Sequence, residues 1–194
     1  MIDLIEQIKT LKAEHVILQE QYKESLEESK DLSDEIIYAD EARTLIQKAA
    51  KITEERLEIH FGTIVSKALE AVFNDPYEFV PEFVERRGKI ECDLWFSRNG
   101  HKIIPKLASG GGAVDIASFA LRMAYLKMET TAPLLILDEP FKMLSSDLMP
   151  YAAKMLKFMS DDPDMNFQII MNTHSPALTD CADKLFRIER GEVS

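Results

Sequence analysis

The first third of the chain carries a repeating pattern of apolar residues that predicts a long helix. Residues 1–58 contain no Gly or Pro and are rich in Glu, Lys, Gln, Leu and Ile, which is typical of a solvent-exposed helix. Apolar residues recur there at alternating steps of four and three, as in a coiled coil. The steps land on Leu4, Ile8, Leu11, His15, Leu18, Tyr22, Ser25, Ser29, Leu32, Ile36, Ala39, Arg43, Ile46, Ala50, Thr53 and Leu57.

This seam is apolar at both ends and polar in its middle. Leu26 lies one residue off the seam beside the polar stretch, so we expect a stutter or local unwinding around residues 25–29. The pattern favours a coiled-coil helix that pairs with a partner helix. A single solvated helix with incidental heptads is the alternative.

The pattern changes after about residue 60 and predicts a globular part. A short helical stretch through Phe73 is followed by the turn-forming cluster Asn74-Asp75-Pro76. Three short runs then read as strands of an antiparallel subdomain, the last two joined by Arg98-Asn99-Gly100. These runs are 77–84, 90–97 and 101–104.

The second half of the chain alternates between helical and strand patterns. A glycine cluster precedes a helix that ends near Glu129, and a second helix covers 149–159. Apolar runs at 134–137 and 167–171, and a final run at 184–188, read as strands. Strands separated by helices imply an α/β fold with a mainly parallel sheet. We therefore predict two parts, a coiled-coil helix over 1–58 and an α/β lobe over 59–194.

Composition narrows the function classes. The formal net charge is −11, which argues against binding nucleic acid through an overall basic surface. No stretch has the roughly 18 apolar residues that a membrane span needs, so we expect a cytoplasmic protein with no membrane partner. The two cysteines, Cys92 and Cys181, form no zinc pattern. One small basic group, Arg86, Arg87 and Lys89, followed by Lys102 and Lys106, leaves direct DNA contact open.

Two adjacent carboxylates give the strongest chemical signal. Asp138 and Glu139 end the apolar run 134–137, and functional groups gather at the carboxyl ends of parallel strands. Asp138 suits Mg²⁺ coordination, and Glu139 can orient or deprotonate a water that attacks a phosphoryl group. A solvated acidic turn is the alternative for this pair alone.

Two weaker signals flank the acidic pair in the sequence. Ser109, Gly110, Gly111 and Gly112 stand directly before a helix, where backbone N–H groups and a hydroxyl can bind phosphate. His174 follows the apolar run 167–171, and its imidazole can contact a terminal phosphate. A flexible loop and an ordinary loop histidine explain these two signals separately.

The order of the three signals resembles the C-terminal lobe of ABC-type ATPase heads, and the preceding helix is similar to the SMC, SbcC and RecN branch. The resemblance implies ATP and Mg²⁺ as cofactors. It assigns residues 109–112 to the signature loop, Asp138 and Glu139 to the Walker B pair, and His174 to the switch histidine. Ser145 and Asp147 lie where the family has its D-loop. Gly112 stands where many relatives carry Gln or Glu, and Ser145 where an Asp is common.

The phosphate loop GxxxxGK[ST] is absent from the sequence. The resemblance places it on a separate N-terminal lobe, so we expect this chain to hydrolyse ATP only when that lobe completes the head. It also implies a second head as a homodimer partner with ATP between the two, a nuclease subunit, and DNA reached through the complex, in DNA repair or recombination. The alternatives are an interaction module that inhibits a related ATPase, and an unrelated hydrolase with Ser109 as nucleophile, for which no Gly-x-Ser-x-Gly elbow is present.

Overall fold

The computed structural model describes residues 2–108, 110–129, 134–162, 167–189 and 192–193, with the side chains of residues 2–6, 189, 192 and 193 outside the description. The chain divides into two compact units, Met1–Thr53 and Glu54–Ser194. The domain boundary that the sequence suggests, between 58 and 59, stays a prediction. No helix in the described part is long and apolar enough to cross a membrane.

Helix α1 runs without a break over Ile2–Val72, which confirms the long helix. The helix continues through residues 25–29. The stutter or local unwinding expected there concerns the winding of two paired helices and stays a prediction. The helical stretch near Phe73 is the end of α1 and not a separate element. Apolar side chains along the first unit are exposed, and they include Ile8, Leu11, Leu18, Tyr22, Leu26, Leu32, Ile36 and Ile46.

The antiparallel subdomain is confirmed. Strands β1 (Glu78–Arg86), β2 (Lys89–Arg98) and β3 (His101–Ile103) pair in the order β1-β2-β3. Both connections are two-residue turns with positive φ at each residue, Arg87-Gly88 and Asn99-Gly100. Such turns match the twist of the paired strands. The sequence therefore encodes this meander locally.

The outer edge of β1 is closed by side chains of α1. The Ser66 Oγ accepts a hydrogen bond from the Phe79 N–H, and the Glu58 Oε1 accepts one from the Phe83 N–H, both at 2.8 Å. Pro81 lies two residues from each phenylalanine and has no N–H to satisfy. Because an unpaired strand edge promotes pairing with other chains, these three residues protect the β1 edge from further strand addition.

The parallel α/β layer follows a short 3₁₀ helix at Pro105–Leu107. Helix α2 (Gly111–Glu129), strand β4 (Leu134–Asp138), helix α3 (Met149–Asp161) and strand β5 (Gln168–Asn172) succeed one another. β4 and β5 are parallel. Their inner face packs on a core with fully buried side chains, which include Ile116, Met123, Leu156 and Leu178. The α/β layer and its parallel pairing confirm the predicted fold class.

The end of the chain differs from the prediction. After the short helix α4 (Pro176–Thr179), the expected strand over 184–188 is reduced to β6 (Ile188–Glu189), which pairs antiparallel with β7 (Glu192–Val193). Residues 185–187 are in neither helix nor strand. A strand forms only where a neighbouring strand shares its backbone hydrogen bonds, and no described strand pairs with these three residues.

The outer face of the β4–β5 sheet is open. Leu135 and Leu137 are buried, whereas Leu134, Ile136 and Ile170 are 47%, 75% and 53% exposed. Parallel sheets are usually covered on both faces, and their strands are therefore apolar throughout. These strands have the composition of a doubly covered sheet, but the described part of this chain covers only one face.

Candidate functional site

The acidic pair lies at the carboxyl end of β4, beside the end of β5. Asp138 is in register with Asn172, and the Asn172 Nδ2 donates a hydrogen bond to the Asp138 Oδ1 at 2.9 Å. The Glu139 N–H donates to the Asn172 carbonyl at 2.9 Å. The two strand ends therefore hold Asp138 from the side chain and Glu139 from the backbone.

Glu139 has an unusual backbone and an unsatisfied side chain. Its φ is 45°, in the left-handed region that non-glycine residues rarely adopt. The Glu139 Oε1 is buried and has no hydrogen-bond partner in the described part of the chain. The His174 Nε2 lies 3.3 Å away, but the geometry of this contact is not that of a hydrogen bond. A strained residue with an unpaired acceptor is typical of a functional site, where a water or ligand supplies the donor.

His174 is 91% exposed while its neighbour Glu139 is 35% exposed. The imidazole is therefore held by few contacts, and it can turn toward a ligand at the strand ends. The structure brings Asp138, Glu139, Asn172 and His174 together, as expected from parallel strands whose carboxyl ends meet at one edge. Asn172 was not singled out from the sequence, although its place at a strand end opposite Asp138 is a usable signal.

The predicted phosphate-binding glycines lie at the start of α2, and Ser109 lies outside the described residues. Gly110 has φ 84°, which suits glycine. A Cβ on Gly111 would lie 2.8 Å from the Met143 Cβ, and one on Gly112 would lie 2.9 Å from the Leu144 Cδ1 and 3.2 Å from the Leu144 Cα. The backbone of α2 thus approaches the loop after β4 so closely that Gln or Glu at position 112 would not fit without rearrangement.

Ser145 and Asp147 lie in the exposed loop that leads into α3. The Ser145 carbonyl accepts hydrogen bonds from the N–H groups of Leu148 and Met149 at 3.1 and 3.2 Å, which fixes the start of the helix. A hydrogen bond from the Ser145 hydroxyl, with backbone N–H groups, lowers the pKa of Asp147 below its usual value. Asp147 is therefore an anion at neutral pH.

Asp138 fits a divalent cation that is shared with a ligand. The described residues contain no group of three or more His, Cys, Asp or Glu side chains that could hold a metal. Mg²⁺ commonly takes one or two carboxylates, with phosphate oxygens and water in its other positions. A single carboxylate positioned by Asn172 matches that mode and does not match a cage built from protein ligands alone.

The small basic group beside the hairpin is partly neutralised. Arg86 pairs with Asp93 at 2.6 Å and with Glu91 at 3.1 Å, and the hydrogen bond with Asp93 is the main cause that raises the pKa of Arg86 above its usual range. Lys102 pairs with Glu82. Direct DNA contact through this group stays a prediction, with two of its five cations engaged by carboxylates.

Comparison with known proteins gives a partial sequence match. No protein-family model matches the chain. It is 32% identical over 130 residues to a DNA double-strand break repair Rad50 ATPase from Methanopyrus kandleri, a match that covers 63% of this chain and 15% of the relative. The chain thus spans less than a sixth of that protein's length.

Two solved structures share the fold. The Smc head domain with a coiled coil and joint from Pyrococcus yayanosii superposes with a TM-score of 0.67 at 16% identity, over 91% of this chain and 34% of that one. An SmcHead bound to the C-winged helix domain of ScpA gives a TM-score of 0.54 at 18% identity, over 76% and 43% of the two chains. The chain is therefore similar in sequence to part of a Rad50 ATPase, and it shares its fold with SMC head domains.

Proposed function

We propose that the chain is the C-terminal part of an ATP-hydrolysing head, completed by an N-terminal lobe that carries the phosphate loop. The observation that carries the proposal is the acidic pair at the margin of an uncovered apolar sheet face. A head of this kind holds ATP between two copies and acts in DNA repair, recombination or DNA-end processing.

The open face gives the completing lobe a place to dock. Leu134, Ile136 and Asp138 alternate along β4, and Ile170 and Asn172 are the register partners of the last two on β5. Side chains two residues apart in a strand share a face. A lobe that covers the exposed apolar side chains would therefore bring its phosphate loop beside Asp138.

The free edge of β5 supports the same conclusion. Among the described strands, β5 pairs with β4 alone. A cavity of about 770 Å³ is lined by residues 167–173, which include β5, and by residues 181–186, together with residues of α3. Leu185 and Phe186 at this cavity are exposed. The walls of this cavity are both polar and apolar, and an unpaired strand edge suits the addition of a β-strand.

The chemistry follows from the positions of the two carboxylates. Mg²⁺ bound with ATP would supply charge neutralisation at the phosphate oxygens. Asp138, held by Asn172, offers a carboxylate oxygen to that cation. Glu139 would orient a water and accept its proton, a role worth about 10²–10⁴-fold in rate for a general base. His174 would donate a hydrogen bond to the terminal phosphate.

The partners follow from surfaces that the chain leaves exposed. The apolar seam of α1 would pair with a helix that returns from the N-terminal lobe. The glycines before α2, with Ser145 and Asp147, would face ATP held by the second head. The name of the Rad50 relative supports a double-strand break repair role, in which a nuclease subunit and DNA are reached through the assembled complex.

The test is an ATP hydrolysis assay of the chain, the N-terminal lobe and their mixture. Each mixture is prepared with the native chain, with Glu139→Gln, and with Glu129→Gln as a matched control on the exposed end of α2. We expect activity in the mixture alone, unchanged by Glu129→Gln and reduced at least about 100-fold by Glu139→Gln.

The opposite pattern would overturn the proposal. If the lobe alone hydrolyses ATP, and the native chain and its Glu139→Gln variant lower that rate equally, the chain is an inhibitory interaction module. A mixture without activity, despite a stable complex, would likewise exclude hydrolysis at this site.

A further inference from the structure

The start of α2 and the loop after β4 are joined by a side chain that the mechanism above does not use. Asp115, one turn into α2, accepts a hydrogen bond through its Oδ2 from the Met143 N–H at 2.8 Å. The two residues are 28 positions apart in the sequence. A carboxylate that accepts from a backbone N–H makes a strong, directional contact.

Three further contacts surround this hydrogen bond. Gly111 and Gly112 let the α2 backbone approach Met143 and Leu144 more closely than any side chain would allow. Phe119 and Phe141 pack edge to face with ring centroids 5.3 Å apart, and both are buried. The loop is thus fastened to α2 at successive points along its length.

The fastened loop begins and ends with residues of the candidate site. Glu139 directly precedes this loop, which covers 140–147, and Ser145 and Asp147 lie at its end. Phe141 has φ 62°, and its carbonyl accepts a hydrogen bond from the Leu144 N–H at 2.9 Å, so the loop is a tight turn with little freedom to absorb a displacement. A movement of the glycine-rich start of α2 would therefore displace the residues at both ends of the loop.

We propose that Asp115 is a positioning residue that couples the phosphate-facing start of α2 to the loop carrying Ser145 and Asp147. Its catalytic consequence rests on the proposed function. Its structural consequence, an ordered Met143 amide, does not. Asp115 touches neither nucleotide nor metal in this account and acts through the loop.

The test measures hydrogen–deuterium exchange of the Met143 amide by NMR in the full chain, and the ATP hydrolysis rate of the chain mixed with the N-terminal lobe. The variants are Asp115→Ala, which removes the acceptor, and Asp115→Asn, which keeps an acceptor oxygen. Asp161→Ala, at an exposed carboxylate on α3, is the matched control.

We expect Asp115→Ala to speed exchange at Met143 by about tenfold or more, and to lower kcat by a similar factor with little change in KM for ATP. Asp115→Asn should keep the exchange rate at Met143 and kcat within about threefold of the native values, because the acceptor oxygen is kept. Unchanged exchange in Asp115→Ala overturns the positioning role. Faster exchange with unchanged kcat in an active mixture overturns the coupling. A native mixture without activity contradicts the proposed function, while the exchange result still decides the structural role.

Discussion

Two sheets of the second unit, β1-β2-β3 and β4-β5, differ at their edges. Ser66, Glu58 and Pro81 close the outer edge of β1. The outward N–H groups of residues 79 and 83 are hydrogen-bonded, and residue 81 between them has no N–H. The edge of β5 borders a cavity, and the face beside it exposes Ile136 and Ile170. Among the described residues, side chains of α1 close the β1 edge, and no strand pairs with the other edge of β5.

The β1 edge is closed by contacts within the described part of this chain, whereas we expect the β5 edge to be closed by a partner. Natural proteins block free strand edges because such edges promote aggregation. In the described part of the chain three residues block the β1 edge, whereas the β5 edge, near the carboxylates, is open, and we propose that a specific neighbour adds there. We expect that neighbour to be the lobe with the phosphate loop.

The largest expected effect comes from a charge on the open face. Ile136→Asp should weaken binding of the N-terminal lobe by at least about 100-fold, because the new carboxylate would be buried without a partner. Calorimetric titration measures this change. The isolated chain should keep its stability, since Ile136 is 75% exposed.

Ile90→Asp is the matched control, because Ile90 is an exposed isoleucine near the hairpin turn and away from the open face. It should leave binding of the lobe unchanged. Equal weakening by both substitutions would mean that the open face is not the docking surface.

A smaller effect is expected from opening the closed edge. Glu58→Ala removes the acceptor for the half-buried Phe83 N–H and should lower the free energy of unfolding by about 1–3 kcal/mol. Glu58→Gln keeps an acceptor and should cost less. Urea denaturation gives the values, with Glu55→Ala on the exposed side of α1 as control. No difference between Glu58→Ala and Glu55→Ala would show that the clamp adds nothing to stability.

The elements with local signals could be predicted from the sequence. Heptads predict α1, paired turn residues predict the β1–β2–β3 meander, and an apolar run ending in Asp138-Glu139 predicts the end of β4. The parallel order then brings His174 to the same edge. In each case neighbouring residues in the sequence carry the information.

The elements that depend on distant contacts could not be predicted. The hydrogen bond between Asp115 and Met143 and the close approach of Gly112 to Leu144 join segments about thirty residues apart. The expected strand over 184–188 has the right composition, but a strand pattern says nothing about whether a neighbouring strand is present to pair with it. The same holds for the open face of β4, whose apolar sequence is that of a covered strand.

The most direct measurement is a hydrogen–deuterium exchange footprint of the N-terminal lobe on this chain. The account predicts at least about tenfold slower exchange in peptides covering 134–138 and 168–173 when the lobe is added, and no change in peptides covering 78–86. Unchanged exchange across β5 in a complex that forms, or protection confined to β1, would contradict the claim that the open sheet is completed by the lobe.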